Sequence, residues 1–126
     1  MIVGVGIDIV DHALKARVHA RYGDKFARRS LDELEMDDYR KSPSQVSLLA
    51  KRFAAKEAAS KALGTGFTRG ITLNMISVRH DDDGRPLLEL CGSAAEHATR
   101  FGVVTPWLSI SDEQSYSIAM VVLESS

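Results

Sequence analysis

Apolar residues alternate with small or polar ones over the first ten positions of the chain. The odd-numbered positions from 3 to 9 are all apolar, whereas the even-numbered ones include Gly4, Gly6 and Asp8. Alternation of period two predicts a strand over Ile2–Val10. The wholly apolar series is expected to face the core. Asp8 then lies on the other face, where the two glycines leave room for another element or a ligand.

Three helical patterns follow this strand. A helix is predicted from about Ala13 to Arg29 with an interruption at Gly23, and a short acidic helix over Leu31–Arg40. The second helix should stop before Pro43, because the residue that precedes a proline disfavours helical angles. A long helix is predicted to begin near Ser44, a good N-cap residue, and to end at Gly64, which suits the left-handed position after a helix.

The second half of the chain predicts two hairpins separated by a helix. The first hairpin joins Asn74–His80 to Pro86–Cys91 through an Asp-Gly turn, and the second joins Trp107–Ser111 to Tyr116–Glu124. The intervening helix is expected over Ser93–Phe101. This order predicts an α+β fold in which a mostly antiparallel sheet packs against one long central helix. With 126 residues, the chain is expected to form a single domain over positions 1–126.

Composition places the chain among ordinary globular proteins, with 44% hydrophobic and 26% charged residues. No apolar run approaches the roughly 20 residues of a membrane span, so no membrane role is expected. The beginning of the chain lacks the charged-then-apolar layout of a secretory signal. Its one cysteine, Cys91, excludes an intrachain disulfide and a cysteine-based zinc site. These features favour a cytoplasmic location.

The net charge of −1 hides a strong asymmetry along the chain. Six basic residues against a single acidic one, Asp24, lie between His12 and Arg29, and five acidic residues follow over positions 32–38. A basic helix face of this kind suits an acidic protein partner or a phosphorylated ligand, and nucleic acid is not expected. Two solvated helix faces of opposite sign would give the same pattern.

The predicted long helix carries a carboxylate within its apolar stripe. At 100° per residue, Ala50, Phe53 and Ala54 project close to Glu57, as does Lys61 one turn later. Such a carboxylate is costly to desolvate unless a cation compensates. Glu57 and Lys61 at i and i+4 can form a partly buried ion pair, or the carboxylate can ligate a hard divalent cation. Together with Asp8 it would suit Mg²⁺, and the lysine would neutralise phosphate charge or move a proton.

Two further features have simpler interpretations. Gly64-Thr65-Gly66 resembles a phosphate loop in composition, but it follows a helix, where the dipole disfavours anions. It is therefore interpreted as a helix stop that still permits close approach of a ligand. Asp8 alone could equally be an exposed aspartate that hydrogen-bonds a turn.

Taken together, three separated motifs resemble a known family. These are Gly6-Ile7-Asp8-Ile9-Val10, the long-helix segment from Arg52 to Gly66 that includes Lys56-Glu57 and Lys61, and Leu108-Ser109-Ile110-Ser111. In this order they closely resemble the holo-acyl-carrier-protein synthases, the small bacterial 4′-phosphopantetheinyl transferases. The likeness covers nearly the whole chain.

The resemblance implies a reaction and a set of sites. Members transfer the phosphopantetheine arm of coenzyme A to a serine of apo acyl carrier protein, in support of fatty acid biosynthesis, and release adenosine 3′,5′-bisphosphate. By resemblance, Asp8 and Glu57 are Mg²⁺ ligands, and Glu57 and Lys61 are catalytic. Contacts to coenzyme A are implied at Arg52, Gly64, Gly66, Pro86 and Ser109.

The resemblance also implies partners. Family members form trimers with coenzyme A between neighbouring subunits, and acyl carrier proteins are strongly acidic. Arg17, Arg21 and Lys25 are therefore predicted to dock the carrier protein.

Three positions depart from the family pattern. Trp107 and Asp112 stand where the family often has histidines, near the nucleotide, and Val10 stands where larger transferases place a third acidic ligand. A water is expected to complete the metal shell at Val10. Two alternatives to the transferase stay open: a non-catalytic module that binds an acidic protein, and a Mg²⁺-dependent transferase that uses another nucleotide-bearing donor.

Overall fold

The computed structural model describes all residues from Met1 to Ser126, and its elements follow the predicted order. The strands are β1 (Ile2–Asp11), β2 (Ile76–His80), β3 (Pro86–Leu90), β4 (Val103–Asp112) and β5 (Tyr116–Ser125). The helices are α1 (His12–Tyr22), α2 (Lys25–Ser30), α3 (Glu33–Lys41), α4 (Gln45–Leu63) and α5 (Gly92–Arg100), with a 3₁₀ turn at Leu73–Met75. No helix combines the length and the apolar character that crossing a bilayer requires.

All strand pairing is antiparallel, but it forms two sheets instead of one. Strands β1 and β4 flank β5 in a three-stranded sheet, whereas β2 and β3 form a separate hairpin. Helix α4 packs against the inner face of the three-stranded sheet, chiefly against β1 and β5. The predicted α+β class and mostly antiparallel pairing are confirmed.

Helix α4 ends where the sequence predicted. Gly64 adopts a left-handed conformation with φ of 79°, and the N–H groups of Thr65 and Gly66 both donate to the carbonyl of Ser60, at 3.3 and 3.2 Å. Gly66 also has a positive φ of 58°. These bonds satisfy the Ser60 carbonyl, one of those that the last turn of the helix leaves free. The predicted helix stop is therefore present.

The core face of β1 was predicted wrongly. The odd-numbered residues from Val3 to Ile9 have exposed fractions between 41% and 60%, whereas Gly6 and Val10 are buried against α4. The cause is steric. A Cβ at Gly6 would lie 1.9 Å from the carbonyl oxygen of Ala58, and one at Gly4 would lie 2.1 Å from that of Ala62. The face with glycines is the only one that lets the backbone of β1 approach α4 so closely.

The opposite face of the three-stranded sheet is consequently apolar and exposed. It carries the odd-numbered residues from Val3 to Ile9 together with Ile118, Met120 and Trp107, all at least 39% exposed. A contiguous apolar face of this kind is typical of an interaction surface. We call it the outer sheet face.

A buried ion network fastens α3 to α4. The carboxylate of Glu35 is fully buried and accepts a hydrogen bond of 2.7 Å from the ammonium of Lys56, which is also fully buried. The same ammonium donates to the carbonyl oxygens of Leu73 and Ile76. Burial lowers the pKa of Lys56, and the charge of Glu35 opposes that shift. Because every donor of the ammonium has an acceptor, the lysine serves as an internal anchor for three segments of chain.

Candidate active site

Asp8 and Lys61 meet between β1 and α4. The ammonium of Lys61 lies 2.9 Å from a carboxylate oxygen of Asp8 and also donates to the carbonyl of Ile7 at 3.0 Å. Asp8 reaches this point because it shares a strand face with Gly4 and Gly6, which lie against α4. The position predicted for Asp8 is confirmed, and the element that fills the room beside the glycines is α4 itself.

The predicted ion pair between Glu57 and Lys61 is absent. Lys61 pairs with Asp8 instead, and no cation lies within 4.0 Å of the Glu57 carboxylate. Glu57 is half-buried, as its place in the apolar stripe predicted. Burial and the neighbouring charge of Asp8 raise the pKa of Glu57, and Lys61 and Lys15 partly offset the rise. The site thus holds a carboxylate that is close to a second one and has no partner within the chain.

Lys15 is a second cation at this site, and its position was not predicted from the sequence. Its ammonium lies over the ring of Phe53 at 3.4 Å from the centroid and over that of Phe26 at 4.6 Å. Only 8% of the residue is exposed. Burial lowers the pKa of Lys15, and the charges of Glu57 and Asp8 oppose the shift. The run of basic residues between His12 and Arg29 marks Lys15 only as one of six.

Gly64 and Gly66 lie at the end of the helix that carries Glu57 and Lys61. A Cβ at either position would meet no atom within 4 Å, so the space beside both glycines is open. Their positive φ angles, rather than crowding, explain why glycine stands there. The open space is compatible with the close approach of a ligand that the sequence predicted.

Two other residues predicted to bind coenzyme A line a separate cavity of about 230 Å³. The guanidinium of Arg52 is mostly buried and pairs with Asp38 at 3.2 Å and with Glu35 at 3.5 Å, and Pro86 begins β3 at the cavity wall. Two basic residue types in this wall, Lys51 and His80, were not predicted from the sequence. Asp112, which departs from the family pattern, also lines the cavity.

Ser109 is not brought together with the other predicted residues. It lies opposite Met120 on the exposed side of the three-stranded sheet, so it belongs to the outer sheet face. Trp107 lies two residues before it on the same face, where its indole N–H donates to Glu124 at 3.1 Å. The guanidinium of Arg85 stacks over the Trp107 ring at 5.0 Å. Within one chain, the sheet separates Ser109 from Asp8 and Glu57.

The basic segment forms a groove on α1 and α2. A cavity of about 730 Å³ is lined by Val18, Tyr22, Lys25, Phe26, Arg28 and Arg29. Of the three predicted docking residues, only Lys25 lines this groove. Arg17 and Arg21 are exposed on α1, and the Arg21 guanidinium stacks on Tyr22 at 5.5 Å. Arg28 and Arg29 were missed, although the run of basic residues was the signal that could have included them. We call this cavity the basic groove.

Comparison with known proteins decides the family. Residues 4–121 match the sequence model of the 4′-phosphopantetheinyl transferase superfamily. This chain belongs to that superfamily. The resemblance inferred from the motifs around Asp8, Glu57 and Ser109 is confirmed.

The superfamily members most similar to this chain include bacterial synthases. A holo-[acyl-carrier-protein] synthase of Vibrio cholerae is 50% identical over 124 residues, which cover 98% of each chain. The crystal structure of the synthase from Neisseria meningitidis has a TM-score of 0.91 and 38% identity, and covers 98% of this chain and 99% of its own. That of Helicobacter pylori, in complex with coenzyme A, has a TM-score of 0.83 and 31% identity, and covers 95% of this chain and 99% of its own.

Proposed function

We propose that this chain transfers the 4′-phosphopantetheine group of coenzyme A to a serine hydroxyl of apo acyl carrier protein, as a step that fatty acid biosynthesis requires. The observation that carries the proposal is the unpartnered carboxylate of Glu57 beside the Asp8–Lys61 pair, in a chain of this superfamily. The relatives' names, holo-[acyl-carrier-protein] synthase, and the coenzyme A complex of the Helicobacter pylori protein support the choice of substrates.

The reaction exchanges one phosphorus–oxygen bond for another. The serine oxygen bonds to the phosphorus of the phosphopantetheine group, and the bond from that phosphorus to the pyrophosphate bridging oxygen breaks. The bridging oxygen leaves with adenosine 3′,5′-bisphosphate. The serine proton passes to the carboxylate of Glu57, directly or through a water.

The residues present fit a Mg²⁺ ion. The charge of Asp8 acts on Glu57, and no third His, Cys, Asp or Glu joins these two carboxylates. Mg²⁺ commonly takes one or two carboxylates and completes its shell with substrate phosphate oxygens and waters. We propose that Asp8 and Glu57 hold the ion. When bound, it would supply charge stabilisation to the pyrophosphate during phosphoryl transfer.

Lys61 has two tasks in this proposal. Its hydrogen bonds to Asp8 and to the carbonyl of Ile7 hold the Asp8 carboxylate against α4. Because half of its side chain is exposed, the ammonium can also reach a phosphate oxygen of coenzyme A. A positioned cation lowers the cost of charge that develops on the leaving group.

We propose that the nucleotide end of coenzyme A occupies the cavity that contains Arg52 and Pro86. Lys51 in the same wall would add positive charge for a phosphate. The open space at Gly64 and Gly66 would let the ligand backbone pass close to the end of α4.

The basic groove is proposed as the docking surface for the carrier protein. Lys25, Arg28 and Arg29 supply its positive rim, and the exposed side chains of Arg17 and Arg21 extend it along α1. Charge of this kind speeds and orients the encounter with an acidic partner more than it tightens the complex.

We further propose that the chain acts as one domain and assembles as a homotrimer in the cytoplasm, where coenzyme A and acyl carrier protein meet. The outer sheet face supports self-association, because its apolar residues are exposed in one chain. Association through this face would also give Ser109 access to coenzyme A bound beside a neighbouring copy.

One experiment tests the function directly. The chain is mixed with apo acyl carrier protein, coenzyme A and Mg²⁺, and the mass of the carrier protein is measured by mass spectrometry. We expect a gain of one phosphopantetheine group. Asp8→Asn and Glu57→Gln should each reduce the rate at least about 100-fold, because loss of even an outer-shell partner of a metal ligand costs about 10- to 100-fold. Glu96→Gln on the exposed face of α5 should not change the rate.

Three outcomes of the same assay would contradict the proposal. Binding of carrier protein without any mass gain, across several carrier proteins, would favour a non-catalytic module. Transfer that adenosine 3′,5′-bisphosphate does not inhibit would favour another donor, because the 3′-phosphate distinguishes coenzyme A. Full activity of either carboxylate variant would contradict the assignment of Asp8 and Glu57.

A further inference from the structure

Lys15 is the one cation near the carboxylates that has no partner. No carboxylate oxygen lies within 4.0 Å of its ammonium, unlike that of Lys61, which is held by Asp8. Every fully buried side-chain nitrogen in the structure has a hydrogen-bond partner. The ammonium of Lys15 makes none, so it must keep access to solvent although the residue is only 8% exposed. At least part of the ammonium therefore faces a solvent-filled opening.

Two aromatic rings hold the ammonium near the proposed site. Phe53 lies one turn before Glu57 on α4, so an ammonium stacked on its ring lies on the same side of the helix as that carboxylate. The charges of Glu57 and Asp8 both act on Lys15. The second ring, Phe26, also lines the basic groove. Lys15 thus stands between the surface proposed for the carrier protein and the carboxylates proposed for the metal.

The charge of the site supports an anionic ligand at this point. Asp8 and Glu57 are balanced by Lys61 and Lys15, so the four groups sum to zero. A divalent ion would leave two positive charges, which matches the two negative charges of a pyrophosphate diester. Without Lys15 the site and its ion would carry one positive charge against the two negative charges of the pyrophosphate. An ammonium costs more to desolvate than an apolar side chain that fills the same space, so packing on Phe26 and Phe53 does not by itself require a lysine.

We propose that Lys15 is a substrate-binding residue whose ammonium donates hydrogen bonds to the transferred phosphoryl group of coenzyme A. This inference rests on the proposed function. The transferred group is chosen because it must face the attacking serine, which arrives from the basic groove, and Phe26 joins that groove to Lys15. A recessed ammonium suits a small phosphate better than a side chain of a docked protein.

The test distinguishes contacts to the transferred phosphoryl group from contacts to the rest of coenzyme A. Lys15→Met keeps an unbranched apolar stem on both rings, Lys15→Arg keeps the charge, and Lys41→Met is a control at an exposed lysine at the end of α3. Affinities for coenzyme A and for adenosine 3′,5′-bisphosphate are measured by calorimetry with Mg²⁺ present. The bisphosphate lacks the transferred group.

For Lys15→Met we expect affinity for coenzyme A to fall about 10- to 100-fold, as loss of a charge-assisted hydrogen bond does. Affinity for the bisphosphate should stay within about twofold, and kcat should fall without a matching rise in the KM for carrier protein. Lys15→Arg should recover part of the loss. Lys41→Met should match the wild type in every measurement.

Three results would overturn the inference. Equal losses for both ligands would place Lys15 away from the transferred group. A higher KM for carrier protein with unchanged coenzyme A affinity would assign it to the protein partner. A lower melting temperature alone would make it structural. If instead the wild-type chain transferred no phosphopantetheine, the proposed function itself would fail, which is a separate outcome.

Discussion

The substitution Lys56→Met tests whether the buried ion network holds α3 against α4. Lys56 and Glu35 are both fully buried, and their 2.7 Å contact is the shortest link between the two helices. Methionine fills a similar volume, so the change removes the charge while it leaves little cavity. Glu35 then keeps its charge but loses its ammonium partner.

The expected cost follows from what remains around Glu35. Breaking a buried pair costs about 3–5 kcal/mol. The lower end applies, because Glu35 keeps contacts with Arg52 at 3.5 Å and with the N–H groups of Val78 and Asp32 at 3.2 Å. For 126 residues the entropy of unfolding is about 260 cal/mol/K. A loss of about 3 kcal/mol therefore lowers the melting temperature by about 11 °C.

Calorimetry and urea unfolding at one fixed protein concentration would measure this loss, because association would make the melting temperature depend on concentration. The double variant Glu35→Gln with Lys56→Met removes both charges and should recover at least half of the loss. Lys41→Met, at an exposed lysine, should lie within about 2 °C of the wild type. A drop of less than about 3 °C for Lys56→Met, or a double variant no more stable than the single one, would refute the reasoning.

Three other substitutions probe the site and its support. Gly6→Ala places a Cβ 1.9 Å from the carbonyl oxygen of Ala58. It should lower the free energy of unfolding in urea by about 3 kcal/mol or more and abolish transfer by moving Asp8. A stable, fully active variant would contradict the explanation that glycine is needed for the close approach of β1 to α4. Hydrogen bonds from Arg79, the Glu35 N–H and Ser77 outweigh burial and hold the pKa of Asp32 well below its usual value. The ionised Asp32 carboxylate therefore stabilises the fold above its unfolded pKa of about 4, and this stabilisation is lost as the pH falls below that value. Asp32→Asn should lower the melting temperature at pH 7 but progressively less below pH 4. A difference in melting temperature that stays constant with pH would argue against an ionic role. Glu57→Gln removes a charge that burial and Asp8 disfavour. Without Mg²⁺ at pH 7 the inactive variant should therefore have a melting temperature no lower than that of the wild type. A clearly lower melting temperature would show that the ionised carboxylate stabilises the fold.

Much of the architecture could be predicted because the patterns that carry it are local. The alternation in β1, the stop at Gly64 and the turn chemistry between β2 and β3 depend on neighbours in sequence, and each appears where it was expected. The position of Asp8 was also predicted correctly, although its strand was assigned the wrong core face. Strand period alone puts Asp8 and the glycines on the same side.

The pairing of charges could not be predicted in the same way. The sequence suggested that Glu57 pairs with Lys61, because they stand one turn apart on a helix. The structure pairs Lys61 with Asp8, which is 53 positions away. Lys56 looked like one more residue of the motif, yet it is the buried anchor. Which of several nearby lysines meets a carboxylate depends on elements that pack from other parts of the chain.

The amino-acid sequence by itself determined the order of the elements, the family and the residues that carry the proposed chemistry. Tertiary structure alone decided which face of β1 is covered, because a Cβ of ordinary size excludes the close contact that Gly4 and Gly6 allow. It also decided that Glu57 has no partner and that Lys15 stands beside it over Phe53. Local patterns fix the conformation of a segment, but charges interact through space, so their partners are set only when distant segments pack together.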